Sequence, residues 1–163
     1  MTQVILVDKN NRKIGEMEKL EAHQKGLLHR AFSVFIFNSG KELLLQKRNS
    51  SKYHSGGLWT NTVCSHPMPG ESYLQAVHRR LQEEMGFDCP VKKIGNFIYK
   101  AEFDDGLIEH EYDCVYTGIY NGIPLPNQEE IEDIRWMNIK NIQSDIALNP
   151  NIYTYWFKKI LGD

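Results

Sequence analysis

One segment limits the fold more than any other: residues 71–85 place Leu74, Val77, Leu81 and Met85 at helical spacing, and Gly86 follows as a stop. Strand-like segments lie on both sides of it. Upstream, 3–8 and 12–17 read as strands around the polar turn Lys9-Asn10-Asn11, the second carrying the flexible Gly15, and 18–26 as a short helix or loop. Residues 31–37 and 42–48 read as a hairpin across Asn38-Ser39-Gly40-Lys41. The Ser- and Gly-rich stretch 49–59 is a loop, and 59–64 a short strand or extended segment. Downstream, 94–103 and 108–120 read as long strands around Asp104-Asp105-Gly106, and 132–137 as another. Two helices close the chain, 139–146 and 150–161, the second with Ile152, Tyr155, Trp156 and Ile160 along one side. Strands before and after one central helix predict an α+β fold in α/β/α layers, a mixed or antiparallel sheet flanked by helices.

A chain of 163 residues suffices for one domain with its own core, 1–163. No apolar run approaches the ~20 residues of a membrane span, and the N-terminal stretch lacks the pattern of a secretory signal. The expectation is a soluble cytoplasmic protein, a monomer with a dimer as the alternative. With net charge −2 and no run of Lys or Arg longer than two, the chain has no broad basic field, so nucleic acid is not an expected partner. Cys64, Cys89 and Cys114 are odd in number and far apart, which suits reduced thiols better than disulfides.

Ser65, five residues, Glu71, seven residues and then Arg79-Arg80-Leu81-Gln82-Glu83-Glu84-Met85-Gly86-Phe87 resemble the Nudix box. Physically, such a box is a loop leading into a helix. The first turns of that helix offer free amides, and its carboxylates hold a hard divalent cation bridged to diphosphate oxygens. Taken without the pattern, the same residues are a solvated charged helix face. Ser65 stands where the box has glycine, and Arg80 where hydrolytic members carry a glutamate. That exchange weakens a hydrolytic site and adds a guanidinium whose fork matches phosphate oxygens. Arg80 and Glu84, four apart, also suit an ordinary surface ion pair worth a few tenths of a kcal/mol.

Just upstream, Trp59-Thr60-Asn61-Thr62-Val63-Cys64-Ser65-His66-Pro67 resembles the cysteine motif of the type I isopentenyl-diphosphate isomerases, a branch of the Nudix superfamily. A lone cysteine is more often a small buried hydrophobe; the flanking pattern reverses that reading. The resemblance implies a Nudix fold, and an enzyme interconverting isopentenyl diphosphate and dimethylallyl diphosphate. It implies a metal centre of His23, His29, His66, Glu109 and Glu111, and proton transfer by Cys64 and Glu111 with Tyr99 assisting. It also implies diphosphate binding by Lys19, Arg48, Lys52 and Arg80, Mg²⁺ at Glu84, and the indole face of Trp156 beside a carbocation. Three imidazoles and two carboxylates suit Mn²⁺, Mg²⁺ or Zn²⁺. A thiol near 8.5 and a metal-tuned carboxylate both exchange protons near neutrality, and the order of transfer is open. His54, His78 and His110 read as structural, and Trp59 and Trp136 as core. The competing readings are a Nudix hydrolase of nucleoside or other diphosphates and a catalytically silent binding module.

Overall fold

The computed structural model describes residues 2–52 and 55–162, so His54 lies outside the described residues. Strand β3 (His29–Phe37) organises the molecule: it is buried on both faces, as a nearly continuous apolar run demands. It runs parallel to β8 (Ile108–Ile119) along its whole length, from His29↔Glu111 to Phe37↔Ile119, so the sheet is mixed. Outside β8 lies β7 (Val91–Glu102), antiparallel. The opposite edge of β3 is divided among β1 (Gln3–Val7), β6 (Val63–Ser65) and β4 (Glu42–Arg48). Strand β2 (Lys13–Glu18) pairs with β1, while β5 (Trp59–Thr60) and β9 (Ile131–Asn138) pair with β4.

The expected hairpin of β3 and β4 therefore closes only at its turn, where Phe37 faces Leu43. Beyond it the two strands part, and residues 60–65 enter the gap. Thr62 supplies what the open ladder lacks: its hydroxyl accepts from the Ile36 amide at 3.0 Å and donates to the Leu44 carbonyl at 2.7 Å. The split in the sheet is what seats Cys64 beside β3.

Phe32, Val34 and Ile36 pack against Ala76, Val77, Leu81 and Met85 of α2 (Tyr73–Met85). On the other face, Phe35, Leu43 and Leu45 meet Ile142 of α3 (Ile139–Leu148) and Trp156 and Phe157 of α4 (Tyr155–Ile160). These are the three expected layers. Leu74, read as part of the buried stripe, is instead 48% exposed; the stripe is carried by Ala76 and Val77 onward. Gly86 ends α2 at φ 71°, and a Cβ there would lie 2.9 Å from Leu125 Cβ.

The last helix is not continuous over 150–161. A 3₁₀ turn (Pro150–Ile152) is followed by extended Tyr153 and Thr154, because Tyr153 bridges Trp59 and the Thr154 amide donates to the Trp59 carbonyl at 3.0 Å. Pairing with the sheet edge replaces a turn of helix, and Ile152 is left 39% exposed. Trp59 is core, and Trp136 packs partly buried on the α2 side. Among the described residues no helix is long and apolar enough to cross a membrane. All three cysteines are free thiols.

Candidate active site and metal centre

Sheet register builds the site. Tyr99 lies across from Glu111 in the β7–β8 pair, and Glu111 across from His29 in the β8–β3 pair, so three strands deliver one row of functional side chains. Helix α1 (Lys19–Lys25) adds His23 and ends at Gly26 (φ 67°), which turns the chain back toward His29. Strand β6 brings Cys64 and His66, with Cys64 in register with Ser33. A cavity of about 190 Å³ results, lined by Cys64, His66, Tyr99, Glu109, Glu111 and Trp156 together with Lys19, Arg48, Lys52, Arg80 and Glu84. His23 and His29 are fully buried and reach the site through Glu111.

The imidazole Nε2 atoms of His66, His29 and His23 stand 2.8, 3.2 and 3.8 Å from one oxygen, Glu111 Oε2. The Nδ1 atoms of His23 and His29 meet the carbonyls of Lys19 and Leu27 at 2.7 and 2.9 Å. A carbonyl only accepts, so each Nδ1 carries the hydrogen and a neutral ring turns its Nε2 lone pair toward an anionic oxygen. That arrangement repels itself unless positive charge lies between. The four ligand atoms fall within 4.8 Å of one another, and the backbone bonds fix the rings as metal-ligating histidines require. The residues fit a divalent cation. Burial pulls His23 down and His66 down to about 3, which keeps both rings neutral. Burial also acts against charge on His29 and Glu111, but a second proton, on His29 Nε2, makes a hydrogen-bonded ion pair with Glu111 Oε2, and this coupling moves His29 up and Glu111 well below the usual carboxylate range.

Glu109 is 2% exposed but is not one of those four ligands. The Tyr99 hydroxyl lies 2.6 Å from Glu109 Oε1 and 2.7 Å from Glu111 Oε1. The single phenolic hydrogen serves one carboxylate at a time or is shared between the two. Further along the same face of β8, Asp113 accepts from Ser33 Oγ at 2.9 Å, and its Oδ1 is buried with no hydrogen-bond partner among the described residues. Burial and the charge of Glu111 push this carboxyl well above its usual range. Sequence reasoning missed Asp113, although the alternation 109, 111, 113 marks it.

Cys64 differs from expectation. Burial pushes its thiol up to about 12, far above the ordinary 8.5 region, so it is a protonated group near neutrality. The sulfur donates to Asn61 Oδ1 at 3.0 Å and accepts from Trp156 Nε1 at 2.9 Å. The Trp156 ring is also approached by the Arg48 guanidinium, 5.4 Å from its centroid.

At the cationic side the pairing of Arg80 is not a surface bridge. Its Nε and Nη2 donate to Glu84 Oε2 at 3.0 and 2.8 Å, Nη2 to Glu130 Oε1 at 2.7 Å and Nη1 to Glu83 Oε1 at 2.8 Å. Glu84 is 5% exposed, and Gln46 Nε2 donates to its Oε1 at 3.0 Å. Burial pushes the Glu84 carboxyl up against the pull of Arg80. Lys52 Nζ is 3.5 Å from Glu130. Burial, then the charges of Lys52 and Arg48, pull the Lys19 ammonium down. Gln46 and Glu130 carried no motif by which sequence reasoning could find them. At the start of α2 a capping box takes up the amides of Ser72 and Gln75, and Glu71 pairs with Arg79 at 2.6 and 2.9 Å. His78 pairs with Asp88 at 2.6 Å, and His110 meets the Gly26 carbonyl at 3.2 Å, both apart from the metal cluster.

The NUDIX domain family profile matches residues 27–157. The chain is 51% identical over 159 residues to isopentenyl-diphosphate Delta-isomerase 2 of Photorhabdus laumondii, covering 98% of this chain and 90% of that protein. It is 49% identical over 158 residues to isopentenyl-diphosphate Delta-isomerase of Pectobacterium atrosepticum, covering 97% and 88%. Among solved structures, the DR0079 protein of Deinococcus radiodurans superposes with TM-score 0.81 at 18% identity over 98% of this chain and 96% of that one. The MutT protein of Methanosarcina mazei gives TM-score 0.68 at 17% identity, over 82% and 90%.

Proposed function

The chain belongs to the NUDIX family and, within it, to the isopentenyl-diphosphate Delta-isomerases, and on that premise we propose how its cavity moves a carbon–carbon double bond. The enzyme interconverts isopentenyl diphosphate and dimethylallyl diphosphate in isoprenoid biosynthesis. The observation that carries the mechanism is that Cys64 and Glu111 line one cavity of about 190 Å³ whose walls also hold Lys19, Arg48, Lys52 and Arg80; burial pushes the thiol up, which favours its protonated form, while the Glu111 carboxyl is held below its usual range.

In the direction of dimethylallyl diphosphate, Cys64 gives its proton to the terminal methylene carbon, and the π electrons form that C–H bond. Positive charge develops at the tertiary carbon. Glu111 removes a proton from the carbon on the diphosphate side, and the released electron pair becomes the new double bond. Thiolate and protonated carboxyl then reset by proton exchange, and the reverse reaction runs with the roles exchanged. Tyr99, bonded to Glu111 at 2.7 Å, holds the acceptor oxygen and steadies the transferred proton. Trp156 lies against the reacting region, and its Nε1–H faces the sulfur where negative charge grows.

His23, His29, His66 and Glu111, with Glu109 beside them, would hold Mn²⁺, Mg²⁺ or Zn²⁺, whose positive charge would orient Glu111 and temper its basicity. Glu84 would hold Mg²⁺ to help bind the diphosphate, for which Lys19, Arg48, Lys52 and Arg80 provide the countercharge. Three free thiols support a reducing, cytoplasmic setting, and we read the enzyme as a monomer. Incubation with isopentenyl diphosphate and Mg²⁺ should yield the dimethylallyl isomer without phosphate release. Released phosphate would instead identify a hydrolase, and an unchanged ligand a binding module. Cys64→Ala and Glu111→Gln should each abolish turnover while the fold is kept; near wild-type rates in either remove that residue from the mechanism.

A further inference from the structure

The thiol of Cys64 does not stand alone in the cavity wall. Asn61 is fully buried, and its amide nitrogen donates to two carbonyls, Val34 and Val63, each at 3.0 Å. Turning that amide over would press its oxygen against both carbonyl oxygens, so the position of Oδ1 is determined by the backbone of β3 and β6. Oδ1 receives two donors: the Cys64 thiol at 3.0 Å and the Thr60 hydroxyl at 2.9 Å. Thr60 in turn accepts from Thr154 at 2.9 Å, and Trp156, two residues further on, donates to the sulfur at 2.9 Å. Both lone pairs of the amide oxygen are thereby filled, and the sulfur donates to that oxygen, accepts from the indole and has the Thr60 hydroxyl 3.7 Å away.

We propose that Asn61 is a positioning residue for the isomerisation: clamped to two strands, it fixes the rotamer of Cys64 and the resting direction of its S–H, while Trp156 holds the sulfur from the opposite side. An amide oxygen is too weak a base to take the thiol proton near neutrality, so the contact aims the proton without removing it. Delivery needs only rotation about the Cβ–Sγ bond, with the indole N–H remaining on the sulfur as negative charge develops there. Without Asn61 Oδ1 the side chain of Cys64 is free to sample its other staggered rotamers, most of which take the sulfur off the line to the substrate carbon. The two supports come from distant parts of the chain: Asn61 lies three residues before Cys64, and Trp156 92 residues after it. Docking of the C-terminal segment on β5 therefore completes the thiol's surroundings.

This inference rests on the isomerase reading, and the test separates the two. The S–H stretching band of Cys64 is assigned in the infrared as the band lost in Cys64→Ser. Asn61→Leu, close in size but without the amide, should move that band to higher wavenumber and lower kcat about 10- to 100-fold with KM for isopentenyl diphosphate within about twofold of wild type. A band that stays in place, or a change confined to KM, overturns the proposal. Should Asn61→Leu fail to fold, Asn61→Ala, which also lacks the amide and crowds nothing, decides by the same band, and it must move to higher wavenumber. No movement there overturns the proposal equally. If the wild-type protein does not turn over isopentenyl diphosphate, the functional reading fails, whereas the infrared shifts still decide the clamp.

Discussion

Replacing Arg80 by Met keeps the unbranched stem and removes a guanidinium that pairs with Glu83, Glu84 and Glu130 together. Four of the guanidinium's five hydrogens point at these carboxylates. Breaking a buried ion pair from one side costs about 3–5 kcal/mol, because the partner charge is left without compensation. Arg80 and Glu130 keep side-chain exposures of 18% and 24%, whereas Glu84 keeps only 6%. Solvent therefore screens part of the loss, and a net cost of about 2–3 kcal/mol is expected. For a domain of this size that corresponds to a fall in Tm of about 4–12 °C. Thermal unfolding followed by circular dichroism in EDTA measures it. Two further arms identify the cause: adding Glu84→Gln to Arg80→Met should recover part of the loss, and Mg²⁺ should raise the Tm of Arg80→Met more than that of wild type. A single variant that melts within about 2 °C of wild type would refute the view of Arg80 as the organiser of this acidic cluster. KM for isopentenyl diphosphate should rise in the same variant.

Tyr99→Phe deletes the hydroxyl shared by two buried carboxylates, and since bonds to charged groups contribute about 1.5–3 kcal/mol, kcat should fall about 10- to 100-fold with little change in KM; an undiminished kcat removes Tyr99 from proton transfer. Gly86→Ala forces an L side chain into a left-handed backbone beside Leu125, costing about 1–2 kcal/mol from the backbone alone, and a lowered urea midpoint is the expected reading. The Arg79 hydrogen bonds hold the Glu71 carboxyl below its usual range, so the stability it adds is present above the ordinary carboxylate pKa and is lost as pH falls through the depressed value. Glu71→Gln should thus destabilise by about 1 kcal/mol at pH 7 and converge with wild type near pH 3. A gap of the same size at both pH values would assign the loss to packing instead.

What could be read in advance follows from range. Helix α2 and the strands 94–103 and 108–120 announce themselves because their period and their stops, Gly86 and Asp104-Asp105-Gly106, are local. The separation of β3 from β4 was hidden, since it depends on Thr62 bonding Ile36 and Leu44 from another segment. The break in the last helix was hidden for the same reason: Tyr153 and Thr154 answer to Trp59, not to their neighbours. The site residues emerged through motif resemblance. Their surroundings did so only in part: Arg80 and Glu84 are four apart and Asn61 stands in the cysteine motif, but Gln46 and Glu130 have no spacing that announces them. The thiol's raised pKa follows from a burial that only the folded chain provides.

The two halves of the site also differ in when a growing polypeptide can supply them. Its four candidate metal ligands are all encoded by residue 111, whereas the indole that meets the sulfur of Cys64 arrives at residue 156. As chains leave the ribosome from the N-terminus, all four candidate ligands emerge well before the segment that encloses the thiol. Any translation product stopped in between would contain those ligands, yet would expose an unguarded cysteine to oxidants.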